Sequence, residues 1–550
     1  MRKARSVTVT AVVTAMVLIG ASAASATSSG PAASPVVSQQ SAPLVSDPGK
    51  NDRIATLTKA LANIRASIAA GTTRWGSLDL RDIFSFKVDQ LWTQGVDGFG
   101  TTVAVMEGWM RPDIQTRLDT LDDQVGLPHT TVTTIFPDGP LPAQCPAGMV
   151  ALGSFGSCDA WEGELTLDVE AVHLLAPYAK ILISATPSDS EVVGDPSSEV
   201  AMPEIMKGLE FISANHLANV ASISDGSSET DYSRGANEIR ANDPGELSAA
   251  IAGIPVLVAT GDCGSSQNLT TATRQCGSLS AGPASATWDD SPFTTAVGGN
   301  RPGHTMPAAN QEDTFVLDPI EGAGLSEIYQ RPEFQDVVAN ITGSPFRSVP
   351  DITMDSRDGT SEAAPEFAAV LALATQINHA HNLGVINDFL YRKLGHDAAR
   401  DGILDITSGN DAIGDIPGYT AAPGFDVASG WGTVDASLFA PAAARASHGD
   451  NPMTREARQQ LDQMRDQVSL TPSTTVAPAQ PIDILAHGFL PDHPVTIAID
   501  GTTLVTVIAD SSGNINFAFV PNKQNLATGR HTLTIHSMLL DQSKAFTVTG

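Results

Sequence analysis

The sequence predicts an α/β fold, a doubly wound and mainly parallel sheet, followed by a small C-terminal β-sandwich. Apolar runs of strand length alternate with helical periodicity between residues 101 and 259. Parallel pairing with helices over the sheet is what that alternation requires. From residue 482 onward only short β patterns occur, separated by turn signals such as Asp500-Gly501 and Ser512-Gly513. Short strands with such punctuation suggest a small sandwich.

Each element has a local reason. Ile54, Leu57, Leu61, Ile64 and Ile68 recur at three- and four-residue spacing and predict a helix over 51–70. Residues 101–106 (TTVAVM) form a short buried strand. A helix over 162–176 is stopped by Pro177, and AKILISA at 179–185 is a strand. Helix 205–215 precedes strand 220–224, and a helix at 247–251 leads into strand 255–259. An apolar helix is expected over 366–378. Beyond residue 440 a short charged helix is expected over 453–468. A Thr/Pro/Ala-rich linker follows at 469–481.

Composition narrows the function. The chain has 550 residues, enough for two to four domains or one large domain with attachments. With 31 Lys+Arg against 61 Asp+Glu, its net charge is −30. Such a surface repels phosphates, so no nucleic-acid partner is expected. Arg2, Lys3 and Arg5, an apolar run over 7–20, and Ala24-Ser25-Ala26 predict a signal peptide cleaved before Thr27. No later run is long and apolar enough to suggest a membrane span. Secretion follows as the expected localisation. The four cysteines allow three pairings. The two local ones, Cys145–Cys158 and Cys263–Cys276, close equally short loops and are preferred over cross pairs or a metal site.

Three segments could carry chemistry. Gly359-Thr360-Ser361 puts a hydroxyl at a helix start, where free N–H groups favour developing negative charge; an ordinary N-cap is the alternative. Glu164 and Asp168 share one face of a largely apolar helix, so they either share a proton or belong to a solvated acidic face. Asp262 follows the strand at 255–259, and sites form at the carboxyl ends of parallel strands; an Asx turn is the alternative. His173 lies on an apolar face and reads as structural. No His occurs in a His-Gly-Thr context.

In order and spacing these segments resemble the sedolisin (serine-carboxyl peptidase) family. The resemblance runs from about residue 78 to 438. It includes GFGTTVAVME at 98–107, DVEAVHLLAPYAKI at 168–181, FTTAVGG at 293–299, GAGLSEIYQRPEFQ at 322–335, VPDI at 349–352 and DITSGN at 405–410 with PGFDVASGWG at 423–432. It implies a subtilisin-like fold and a peptidase acting on proteins or peptides at acidic pH. Ser361 would be the nucleophile, Glu164 the general base and acid, and Asp168 its orienting partner. Asp262 would belong to the oxyanion hole, and Glu107 would extend the proton relay. The resemblance also implies one Ca²⁺, held by Asp405 and Asp426 and by the carbonyls of Ile406, Ala422 and Gly424.

The expected domains are a signal peptide (1–26), a linker with a short helical segment and no full prodomain (27–77), the peptidase domain (78–440), a helix and linker (441–481) and an immunoglobulin-like module (482–550). That module is expected to contact cell wall or substrate. Two features depart from the family pattern: the short prodomain region, and Glu362 directly after Ser361. They motivate the alternative of an inactive member serving as a secreted binding or surface protein.

Overall fold

The computed structural model of the chain describes residues 47, 49–145, 157–186, 203–232, 234–266, 276, 282–306, 311–393, 398–446 and 451–550. The expected signal peptide and the segment 27–46 lie outside the described residues.

The helices used below are α1 (Lys50–Ala69), α2 (Asp82–Ser85), α3 (Ile114–Val125), α4 (Cys158–Leu175), α5 (Pro203–Asn215), α6 (Asp243–Ala252), α7 (Thr360–Ile377), α8 (Ala436–Ala446) and α9 (Pro452–Arg465). The central sheet contains β1 (Thr102–Glu107), β2 (Val132–Ile135), β3 (Lys180–Ala185), β4 (Val220–Ile223), β5 (Val256–Ala259), β6 (Thr295–Pro302), β7 (Phe315–Leu317) and β8 (Ile352–Asp355). Their spatial order is β8-β6-β5-β4-β1-β3-β2, with every pair parallel. Only β7 runs antiparallel, against β6. The expected subtilisin-like, mainly parallel sheet is the observed one.

Strand pleating explains why these strands are apolar throughout. Val103 and Val105 of β1 enter one core together with Ile181, Ile183, Val220 and Leu257. Ala104 and Met106 enter the other with Leu182, Ala221, Ile223, Val256 and Val258. Alternate residues point to opposite faces, so a sheet covered on both sides needs both sets apolar. Helices α4 and α7 pack on the first face, and α5 and α6 on the second.

Two boundaries differ from expectation. Helix α4 starts at Cys158 rather than 162, because Ser157 caps it by accepting from the Ala160 N–H at 3.3 Å. Helix α7 starts at Thr360 rather than 366, which places Ser361 in its first turn and Pro365 inside the helix.

The stretch read as a linker at 469–481 carries strands. Val468–Thr471 pairs with Ile482–Ala486, and Thr475–Val476 pairs with Asp541–Val548. Buried Val468 and Val476 anchor them, a signal that the Thr/Pro/Ala composition concealed. The C-terminal region forms a three-stranded and a five-stranded sheet around one shared core that includes Ile482, Ile484, Phe519, Val495, Leu533 and Phe546. Helix α9 joins it to the first region: Thr454 Oγ1 donates to the Ala250 carbonyl at 3.2 Å, and Gln542 Nε2 to the Met464 carbonyl at 2.9 Å. No helix among the described residues is long and apolar enough to cross a membrane.

Candidate active site

The carboxyl ends of three neighbouring strands and the start of one helix converge. β1 ends on Glu107, β4 is followed by Ser224-Asp225, and β5 is followed by Gly261-Asp262. α4 carries Glu164 and Asp168 one turn apart, and it packs against β1 and α7. The sequence-predicted Ser361, Glu164, Asp168, Asp262 and Glu107 are therefore brought together.

The contacts form a chain. Ser361 lies close enough to the Glu164 carboxylate to favour its ionised form. The Ser224 hydroxyl lies 3.0 and 3.1 Å from the two oxygens of Asp168. It also lies 3.3 Å from the Ser361 carbonyl. That carbonyl needs an outside donor, because the residue four positions on is Pro365, which has no N–H to give it. Glu107 is fully buried, with no hydrogen-bond partner for either carboxylate oxygen among the described residues.

Asp262 is fixed from α7. Its Oδ1 accepts from the Thr360 N–H at 2.7 Å and from Thr360 Oγ1 at 3.0 Å. Thr360 Oγ1 in turn accepts from the Gly261 N–H at 3.0 Å. Gly359 adopts φ 95° and ψ 168°, a region open almost only to glycine. A Cβ there would stand 2.6 Å from Asp262 Oδ2. The disulfides are the two local ones, Cys145–Cys158 and Cys263–Cys276. The first precedes α4 and the second follows Asp262 directly.

Burial dominates the electrostatics. It pushes Glu164 up to about 8, aided by the charges of Asp262 and Asp225 and opposed by the nearby Ser361. Burial and the neighbouring Glu164 hold Asp168 well above the usual range. Glu107 is raised by burial, Asp168, Glu164 and Asp225. Asp262 opens to solvent on one side, but the protein around it raises its carboxyl against the two Thr360 donors. Carboxylates packed this closely hold shared protons rather than full charges.

Searched against family models, the chain matches none. It is 27% identical over 393 residues to kumamolisin of Bacillus sp. (strain MN-32), a match covering 67% of this chain and 63% of that one. It is 27% identical over 230 residues to tripeptidyl-peptidase 1 of Bos taurus, covering 34% and 37%. Pseudomonas sedolisin, a serine-carboxyl proteinase solved with two molecules of pseudo-iodotyrostatin, superposes with a TM-score of 0.52. Its identity is 21%, over 66% of this chain and 96% of that one. These proteins show that the chain is similar in sequence and fold to the sedolisin family. It spans less than two thirds of the length of kumamolisin and of tripeptidyl-peptidase 1.

Beyond the sedolisin motifs, two site residues escaped sequence reasoning. Ser224 holds Asp168. Asp225 adds a carboxylate that burial pushes up to about 7, with its Oδ2 buried and unpartnered. Both follow β4, so the strand-end argument that selected Asp262 applies to them equally. His173 is structural as read: its Nε2 lies 2.9 Å from Asp122 Oδ1, and its ring packs 6.0 Å from that of Trp75. Glu170, on the same helix, is buried and accepts from the Ser77 N–H and from Arg117.

The residues expected to hold calcium share one loop. The Gly424 N–H donates to Asp405 Oδ2, and the Ala422 N–H to Asp426 Oδ2, both at 2.8 Å. Neither carboxylate has an ion-pair partner among the described residues. Asp426 is buried near Asp411 and Glu321, each of which has one buried oxygen without a partner among the described residues. An oxygen-rich, uncompensated acidic loop fits a hard cation.

Proposed function

We propose that the chain is a secreted serine-type endopeptidase that hydrolyses protein or peptide bonds at acidic pH. The observation that carries the reading is the placement of Ser361 beside the buried Glu164 at the start of α7, with Asp168 one turn behind Glu164. Ser361 attacks the substrate carbonyl while Glu164 takes its proton, and Glu164 returns that proton to the leaving amine. Asp168 and Glu107 share the proton load behind Glu164, so one negative charge is spread over the cluster. Asp262, kept neutral, donates to the oxyanion together with backbone N–H groups of the helix start. A histidine base would stay protonated in acid; this mechanism requires the Glu164, Asp168 and Glu107 cluster to carry one negative charge at the working pH, against the upward push of burial on each member.

The other assignments rest on resemblance and fit. Asp405, Asp426 and the carbonyls of Ile406, Ala422 and Gly424 would hold one Ca²⁺, which would neutralise the loop's carboxylates. The C-terminal β-sandwich reads as an immunoglobulin-like module suited to contacting cell wall or substrate. Secretion rests on the n-region, apolar run and cleavage motif of residues 1–26.

The test is hydrolysis of denatured casein across pH 3 to 8 by the wild type, Ser361→Ala and Asp262→Asn. The expected result is acid-optimal cleavage that Ser361→Ala abolishes. Asp262→Asn, whose amide donates at any pH, should lose less activity on alkalinisation than the wild type. A wild-type optimum at pH 7 to 8, or activity surviving in folded Ser361→Ala, would overturn the reading.

A further inference from the structure

A second group of carboxylates lies against the start of α7 and takes no part in the chain around Ser361. Glu362 and Glu366 stand one turn apart on α7, and Asp82 opens α2, almost 300 residues earlier. All three are buried, with at most 1% exposure. Each is anchored through one oxygen. Asp82 Oδ1 lies 2.7 Å from His304 Nε2. Glu362 Oε2 accepts from the Asp358 N–H at 2.9 Å, and Glu366 Oε2 from the Asp355 N–H at 3.2 Å. Among the described residues, Asp82 Oδ2 and Glu366 Oε1 are buried with no donor, and the Asp82 carboxyl also faces that of Asp355. One oxygen from each residue lies within 4.8 Å of the other two.

We propose that Asp82, Glu362 and Glu366 form a binding site for one hard divalent cation. Oxygen-only ligands suit Mg²⁺, Ca²⁺ or Mn²⁺. Oxygens on one ion are separated by at most twice the metal–ligand distance, and bonds of roughly 2.4–2.6 Å accommodate the full 4.8 Å spacing, while shorter bonds need the oxygens to draw together slightly. The basic groups nearby are already engaged. Arg357 Nη1 donates to Asp355 Oδ2 at 2.7 Å, and Arg81 holds Asp79. A rival grouping, Asp82 with His304 and Asp355, is disfavoured: Arg357 Nη1 lies 2.9 Å from His304 Nε2 and 2.7 Å from Asp355 Oδ2, so its positive charge already stands where the cation would sit. Burial raises all three carboxyls, Asp82 to about 8, and a bound cation would reverse that cost. The ion would tie the N-terminal segment to the helix turn that carries Ser361. It is separate from the loop of Asp405 and Asp426, and it stands whether or not the chain is a peptidase.

The experiment counts Mn²⁺ bound to the chelator-stripped full chain at pH 7 by electron paramagnetic resonance. Glu366→Gln should bind one ion fewer per chain than the wild type, or bind that ion at least tenfold more weakly. Asp426→Asn should keep it. Wild-type stoichiometry and affinity in folded Glu366→Gln would overturn the site and leave carboxylates that merely share protons. Wild-type crystals soaked in Mn²⁺ decide the matter if the variant does not fold. An anomalous peak among the three carboxylates supports the site, and its absence overturns it.

Discussion

The Ser224 hydroxyl bridges α4 and α7, lying 3.0 and 3.1 Å from the Asp168 oxygens and 3.3 Å from the Ser361 carbonyl. It thus fixes the carboxylate behind the base and answers the carbonyl that Pro365 leaves without a helical donor. An ordinary hydrogen bond contributes about 0.5–1.5 kcal/mol net. Ser224→Ala should lower kcat by roughly two- to tenfold through loss of that contact, with KM little changed. Ser224→Thr should recover much of it. An unchanged kcat and pH profile in Ser224→Ala would remove Ser224 from the positioning of Asp168.

Gly359 sets the approach of Asp262 to α7. At φ 95° and ψ 168° an alanine is strained by about 1–3 kcal/mol. Its Cβ would also press on Asp262 Oδ2 at 2.6 Å. Gly359→Ala should therefore fold with a lowered melting temperature and lose activity out of proportion to that loss, because Asp262 must move. Full activity in a destabilised variant would separate Gly359 from the oxyanion site.

Asp405 and Asp426 carry the calcium expectation. A ligand at a hundred times its Kd stabilises the folded state by about 2.7 kcal/mol. Verified removal of Ca²⁺ should lower the melting temperature by several degrees, and Asp426→Asn should lower it without further response to chelator. An Asp426→Asn protein that still responds to Ca²⁺ as the wild type does would place the stabilising ion elsewhere.

The parts of the molecule that were readable in sequence share one property: their signal is local. The strands β1, β3, β4 and β5 are unbroken apolar runs because both faces of the sheet are covered, and Glu164 and Asp168 are one helical turn apart. Boundaries set by single contacts were harder. The Ser157 cap extends α4 backward, and a proline six residues into α7 disguised its start. The segment 469–481 has linker composition, but two valines bury its strands. The cluster of Asp82, Glu362 and Glu366 had no local signature, since Asp82 is far from the two glutamates in sequence and meets them only in the folded chain. Glu362 was conspicuous beside Ser361, yet only its partners show where its carboxylate goes: to the Asp358 N–H and the buried acids, not into an exposed acidic face.

The buried acids also set the direction in which stability responds to pH. Glu164 and Asp82 are pushed up to about 8, and Asp225 and Asp243 to about 7, each chiefly by burial. In the unfolded chain such groups titrate near 4. Between these limits the folded protein holds protons that the unfolded chain has released. Stability must then fall as pH rises, because the unfolded state binds fewer protons. The contribution is complete below about pH 4 and is lost progressively as pH passes through 7 and 8. Asp79 and Asp313, lowered by their hydrogen-bond donors, act in the opposite sense, but their contribution fades only in stronger acid. In chelator-containing buffer, the melting temperature should therefore decline steadily from pH 4.5 to 8. Asp82→Asn and Asp225→Asn, which remove the titrating group, should each flatten the decline. A melting temperature that rises over that interval would mean that these carboxyls are ionised in the folded protein. The shared-proton description of the site around Ser361 would then fail with it.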